Sequence, residues 1–234
     1  MPIRRLALAL ATVLALMGAQ AAPADVFTSP ITTGNTALSG FTGPFANVTI
    51  NLINPTTANV TFDSLTNGGF IYLMGDGSSA DLNVNAGNFS VSGVTGSNSL
   101  VGFTPGPYTV TNPPGTSQVD GFGPFNMTID SFDGFTHSST QISFTLTDLS
   151  GTWASASNVL AANPDGFDAA MHVFACATSA TNPCNASTGA TATGFAAETG
   201  GVRVSQPTSL GLLGAGVIAV WLIPTRHRRR RFTS

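Results

Sequence analysis

Val48-Thr49-Ile50-Asn51-Leu52-Ile53-Asn54-Pro55-Thr56-Thr57-Ala58-Asn59-Val60-Thr61-Phe62-Asp63 alternates at both ends and breaks once in the middle. Val48, Ile50 and Leu52 are apolar, with Thr49 and Asn51 between them. Val60 and Phe62 alternate with Thr61 and Asp63 on the return. A period of two puts successive side chains on opposite faces of an extended chain. Asn54-Pro55-Thr56-Thr57 carries turn chemistry. The stretch therefore predicts a β-hairpin, with one face buried and one face wet.

The same period runs outward. Phe70 to Met74 reads as an apolar strand, ended by Gly75-Asp76-Gly77. Leu82 and Val84 follow, then Phe89, Val91 and Val94. Tyr108 to Val110, Phe125-Met127-Ile129 and Ile142-Phe144-Leu146 come next, and Met171 to Cys176 closes the series. Roughly nine or ten such strands predict an all-β fold, an antiparallel β-sandwich of jelly-roll type. Ser155 to Ala162 is the one helix candidate of the body, and its length limits it to a turn or two. A Gly-Pro corner with an aromatic residue recurs before strands: Gly40 to Phe45, Gly102 to Tyr108 and Gly121 to Phe125. No fixed period separates the corners, so they do not make a repeat array. Their rings plug sandwich corners or form an exposed ligand platform.

Charge is sharply partitioned. There is no lysine, and seven of the eight arginines lie near the ends of the chain. The eleven acids lie between Asp25 and Glu198, where Arg203 is the one nearby cation, so the body carries −10. Nucleic acid needs a basic footprint, which this body lacks.

Residues 1–21 follow the plan of a secretory signal. Arg4 and Arg5 precede an apolar run from Leu6 to Met17. Ala19-Gln20-Ala21 is a small-x-small cleavage site, so cleavage is expected between Ala21 and Ala22. Residues 22–204 form the expected β domain. Export favours a disulfide between the only two cysteines, Cys176 and Cys184.

Residues 205–234 form a tail of distinct composition. Gln206-Pro207 introduces an apolar run from Leu210 to Ile223, followed by Arg226-His227-Arg228-Arg229-Arg230-Arg231. A helix from Pro207 to Thr225 is about 28 Å long, close to the ~30 Å hydrocarbon core of a bilayer. The arginines belong on the cytoplasmic side, which agrees with an exported body. Gly211, Ala215 and Ala219 form a stripe of small residues.

This tail resembles the PEP-CTERM sorting signal of Gram-negative bacteria, a Pro-Glu-Pro box followed by an apolar helix and an arginine cluster. Leu210 to Gly216 and Arg228 to Arg231 match in type and order. Ser205-Gln206-Pro207 stands at the box and keeps its second proline without the glutamate. The resemblance implies an exosortase-type membrane protease as partner, with Gln206, Pro207 and Arg228, Arg229, Arg230, Arg231 as the signal it reads. It also implies an association with exopolysaccharide or biofilm matrix.

Chemistry-bearing residues are sparse. His137 lies near Asp133 among serines, without the Gly-x-Ser-x-Gly elbow. His172 alternates with Phe174 and Cys176, as a packed strand histidine does. Two histidines without ligand spacing do not predict zinc. Asp76 and Asp81, with Asn83 and Asn85, cluster oxygens that suit calcium. Asp130, Asp133 and Asp148 form a second acidic group. Asp and Asn also favour turns, and both readings stand. No catalytic residue is expected, and no cofactor beyond that calcium candidate.

The expectation is an exported surface or matrix protein without catalysis. A carbohydrate-binding module is the alternative, with Trp153, Tyr72, Tyr108 or a phenylalanine as its platform. A membrane-anchored hydrolase is the third, and it requires a cleft joining His137 to carboxylates or serine.

Overall fold

The computed structural model describes residues 25–111, 115–132, 134–179 and 184–198. The expected leader and the expected sorting tail lie outside the described residues. The described residues from Asp25 to Glu198 fall in one unit. In chain order its strands are β1 (Asp25–Ile31), β2 (Thr33–Gly34), β3 (Ala46–Asn54), β4 (Thr57–Ser64), β5 (Thr66–Asn67), β6 (Phe70–Met74), β7 (Ala80–Leu82), β8 (Phe89–Ser97), β9 (Tyr108–Thr111), β10 (Ser117–Val119), β11 (Gly123–Phe125), β12 (Met127–Ser131), β13 (Gln141–Asp148), β14 (Ala169–Ala177) and β15 (Ala192–Ala197). Helical structure among the described residues is limited to single 3-10 turns at Thr36–Leu38, Phe135–His137 and Ala156–Asn158. The fold is all-β, and every strand pair is antiparallel.

The hairpin around Asn54 forms as its alternation predicts. Val48 pairs with Phe62 and Ile50 with Val60, and all four are buried. Asn54 Oδ1 closes the turn by accepting from the Thr56 amide at 3.0 Å and the Thr56 hydroxyl at 3.0 Å. The hairpin sits inside a five-stranded sheet of order β1-β3-β4-β13-β8. A second sheet has the order β2-β15-β14-β7-β12-β9, with β6 and β5 joining beside β14. β10 and β11 make a separate two-stranded ribbon.

One apolar cluster draws on both sheets. Val48, Ile50, Phe62, Ile142 and Leu146 come from the first sheet. Leu82, Met127, Ile129, Met171 and Val173 come from the second. Burial of such side chains gives about 1.5–3 kcal/mol each, and that is the main force holding the fold. The outer face of the second sheet is also covered, at two places. Val119, Phe122 and Phe125 pack over Ala170 and Ala197. Leu73, Phe174, Cys176 and Cys184 form the other patch.

This double cover explains β14, whose sequence Ala169-Ala170-Met171-His172-Val173-Phe174-Ala175-Cys176-Ala177 is apolar at nearly every position. A strand buried on both faces has no reason to alternate. The apolar run Phe125-Met127-Ile129, expected as one strand, is instead divided between β11 and β12. Asn126 makes the division. Its Oδ1 accepts from the Val84 amide at 2.7 Å and its Nδ2 donates to the Val84 carbonyl at 2.9 Å. The strand series also does not close at Cys176. β15 follows, and Gly194 lets the turn at Thr36–Leu38 lie against it, since a Cβ there would stand 2.9 Å from Leu38 Cγ.

Candidate functional site

The outer face of the first sheet is built from the polar half of the alternation. Strand register lines these residues into rungs across the sheet. One rung runs Thr28, Thr49, Thr61, Ser143, Thr95. The next runs Val26, Asn51, Asn59, Thr145, Ser92. On the other side lies Pro30, Asn47, Asp63, Gln141, Ser97. Thr57, Thr147 and Ser90 complete the face. Neighbouring strands stand about 4.8 Å apart, and successive rungs roughly 6.7 Å.

Cross-strand hydrogen bonds hold the rungs in place. Thr28 and Thr49 hydroxyls meet at 3.2 Å. Ser143 Oγ donates to Thr61 Oγ1 at 3.2 Å, and Thr145 Oγ1 donates to Asn59 Oδ1 at 3.0 Å. Gln141 Nε2 donates to Asp63 Oδ1 at 2.8 Å. Asp63 is the one charge in these four rungs. Each hydroxyl keeps further hydrogen-bonding capacity, so the face offers donors and acceptors without a field. Alternation in the sequence marks each residue as outward. Only the pairing of β3 with β4, of β4 with β13 and of β13 with β8 brings them to one surface.

A polar seam crosses the outer face of the second sheet between its two apolar patches. β6 and β7 lie end to end along one edge of β14. The loop between them holds Asp76 at φ 63° and Ser78 at φ 58°, left-handed values that are uncommon outside glycine. Four bonds fix it. Ser78 N donates to Asp130 Oδ1 at 2.8 Å, and Thr111 Oγ1 holds Asp130 Oδ2 at 2.7 Å. Ser79 Oγ donates to the Asp76 carbonyl at 2.7 Å, and His172 N donates to the Ser78 carbonyl at 2.7 Å.

Asp81 follows on β7 and is wholly buried. Thr128 Oγ1 donates to its Oδ1 at 2.6 Å, while its Oδ2 has no hydrogen-bond partner. Burial pushes its carboxyl up from 3.8 to about 8, against the Thr128 bond and with help from the Asp130 charge. Asp81 is therefore mainly protonated at neutral pH. Burial lowers the His172 imidazole, although Asp76 pulls it the other way. Its ring stacks on Phe195 at 4.6 Å, and Nε2 lies 2.6 Å from Thr193 Oγ1.

The calcium candidates Asp76 and Asp81 thus meet different fates. Asp76 Oδ1 closes its own turn on Gly77 N at 2.9 Å, and Asp81 is buried with Thr128 on its Oδ1. Asn83 and Asn85 turn away from them. They line a cleft of about 480 Å³ with Asp148, Ser150 and Gly151. Asp148 Oδ1 accepts from Ser150 N at 2.9 Å and Gly151 N at 2.8 Å. Among the described residues no three His, Cys, Asp or Glu side chains are grouped to hold a metal ion.

His137 ends a 3-10 turn, with Nδ1 at 2.8 Å from the Thr104 carbonyl and 2.6 Å from the Gly106 carbonyl. Nδ1 therefore carries the proton and donates to them. Asp133 lies outside the described residues. Cys176 and Cys184 are paired as a disulfide, with Cα atoms 5.5 Å apart. Trp153 is 3% exposed and donates through Nε1 to the Asn85 carbonyl at 2.9 Å. Tyr72 is fully buried. Of the corner rings, Phe45, Phe122 and Phe125 are buried. Phe41 stands edge-on to Phe70 at 4.9 Å, and Phe103 edge-on to Phe135 at 5.1 Å.

Ala21, Ala22, Gln206, Pro207 and Arg228 to Arg231 lie outside the described residues. Among those described, no helix is long and apolar enough to cross a membrane. Comparison of the chain with protein-family models, curated proteins and solved structures finds no match in any of the three.

Proposed function

We propose that this chain is an exported surface or extracellular-matrix protein without catalysis, delivered by its leader and sorted through its PEP-CTERM-like tail. Its body is read as a β-sandwich of jelly-roll type, displayed outside the inner membrane. An exosortase-type membrane protease is the partner that reads Gln206-Pro207, the apolar helix and the arginines. The observation that carries the display reading is the rung-ordered face of the first sheet, a broad surface of hydroxyls and amides with Asp63 as its one charge. Mass spectrometry of the surface form tests the sorting. A mature chain lacking Arg231 is the expected result, and an intact Arg231 on surface-exposed protein refutes processing.

The same face favours carbohydrate binding as the second reading. A neutral glycan presents hydroxyls that match donors and acceptors without needing charge. Trp153 and Tyr72 are buried, which leaves the half-buried Tyr108 and the exposed Phe132 as rings open to stacking, beside hydrogen bonds along the rungs. A glycan array with the purified protein tests this. Binding to neutral polysaccharide supports it, and an array without signal removes it.

A further inference from the structure

Asp148 is the last residue of β13 in the first sheet, and Asn83 follows the last residue of β7 in the second. The cleft they share holds about 480 Å³ and is lined by residues 83–87 and 150–152 with Asp148 and Ala161. That size suits a small organic ligand. Asp148 is 7% exposed. Its Oδ1 accepts from the Ser150 and Gly151 amides and from Ser150 Oγ at 3.1 Å. Its Oδ2 has no hydrogen-bond partner among the described residues. Gly151 keeps that oxygen bare, because a Cβ there would stand 3.3 Å from Asp148 Oδ2. Gly151 is not among the glycines at positive φ, so space and not backbone conformation calls for glycine here.

The rest of the lining offers acceptors more than donors. Asn83 Nδ2 donates to the Ala161 carbonyl at 2.8 Å, and Asn85 Nδ2 to the Asn158 carbonyl at 3.0 Å. Each amide therefore keeps its Oδ1 for a ligand. The amides of Val84, Asn85 and Ala161 are bonded to Asn126 Oδ1 at 2.7 Å, the Val159 carbonyl at 2.8 Å and the Asn83 carbonyl at 3.0 Å. Residues 25–198 contain neither lysine nor arginine, so no described side chain of either kind pairs with Asp148.

We propose that this cleft binds a primary ammonium group on a small organic ligand, such as an amino sugar or a polyamine. An ammonium has three donors and no acceptor, which complements a carboxylate oxygen and two amide oxygens without protein donors. Its bond to the carboxylate is charge-assisted. A calcium ion takes about six to eight oxygens, commonly from several carboxylates, and Asp148 is the one carboxylate of the lining. A neutral sugar would bring acceptors that find few donors here. The cleft stands apart from the rungs of the first sheet, and its binding does not depend on theirs.

Calorimetric titration of the full chain in detergent tests this, with D-glucosamine, putrescine, D-glucose and calcium chloride as probes at a pH where both amines are charged. One or both amines should bind, and D-glucose should not. Binding of D-glucosamine alone assigns the ammonium to an amino sugar, and binding of putrescine alone to a polyamine. Asp148→Asn keeps the Oδ1 acceptor and removes the charge, and it should weaken amine binding by about tenfold or more. Gly151→Ala leaves the charge and covers Oδ2, and it should weaken binding at an unchanged melting temperature. Asp120→Asn removes an equal charge at an exposed position outside the cleft and should leave binding as it is. Equal binding of D-glucose and D-glucosamine overturns the proposal, as does binding of neither amine. So does calcium binding tighter than either amine, which would assign the cleft to a metal ion. Amine affinity unchanged in both Asp148→Asn and Gly151→Ala would place the amine elsewhere and equally overturn it.

Discussion

Asp81 is the residue whose chemistry its surroundings change most. A carboxyl that titrates near 3.8 in an open chain titrates near 8 in the fold, chiefly because it is buried. Below pH 4 both states hold the proton, and Asp81 leaves stability unaffected. Between about 4 and 8 the unfolded chain has released it while the fold retains it. Stability is therefore lost as pH rises across that window, and above 8 the loss is constant. The loss is of the order of a few kcal/mol. Asp81→Asn keeps a donor at that position and cannot ionise. Its melting temperature should exceed that of the parent chain at pH 8 by more than at pH 4. Thermal melts of both chains across this range check the prediction, and parallel curves would show that Asp81 does not titrate there.

Among elements, β14 and its neighbours show what local pattern can and cannot say. β3 and β4 were readable because each is wet on one face. β14 was readable as apolar, yet its near-continuous run hides that each face packs on a different cluster. β15 (Ala192-Thr193-Gly194-Phe195-Ala196-Ala197) has little strand propensity of its own. It is extended because β14 pairs with it from Ala170 to Ala175. The Cys176–Cys184 link lies in the second outer patch, where both cysteines pack with Leu73 and Phe174. By loop entropy it is worth about 2–3 kcal/mol. Cys184→Ser should lower unfolding stability by that amount in urea titrations. Adding reductant should destabilise the parent chain and leave the variant unchanged.

For the whole molecule, the two sheets divide the labour. The second sheet is covered on both faces, and its polar seam is spent on fixing the β6–β7 loop. Among the described residues the first sheet is covered on one face only. Its other face is the broad polar surface. Thr61 and Ser143 sit opposite one another in the middle of the longest threonine-rich rung. Thr61→Lys with Ser143→Lys adds two charges to a face whose one charge is Asp63. The like charges stand directly opposite and replace the Ser143–Thr61 bond, so stability should fall by about 1 kcal/mol while the fold persists. Binding to neutral polysaccharide should be lost, as measured by pull-down on an insoluble glycan. Unchanged retention would place any glycan contact elsewhere.

The sequence by itself determined the all-β class, the central hairpin and the −10 charge of the body. These follow from period, turn residues and composition, which are local properties of the chain. The tertiary structure decided which polar residues share a surface, because register between strands distant in sequence sets that. It also decided the state of Asp81, since a pKa depends on what surrounds a group and not on its neighbours in the chain. The aromatic corners show both sides of this. Their glycines and prolines marked turns before strands, but only packing could turn Phe45, Phe122 and Phe125 inward as plugs.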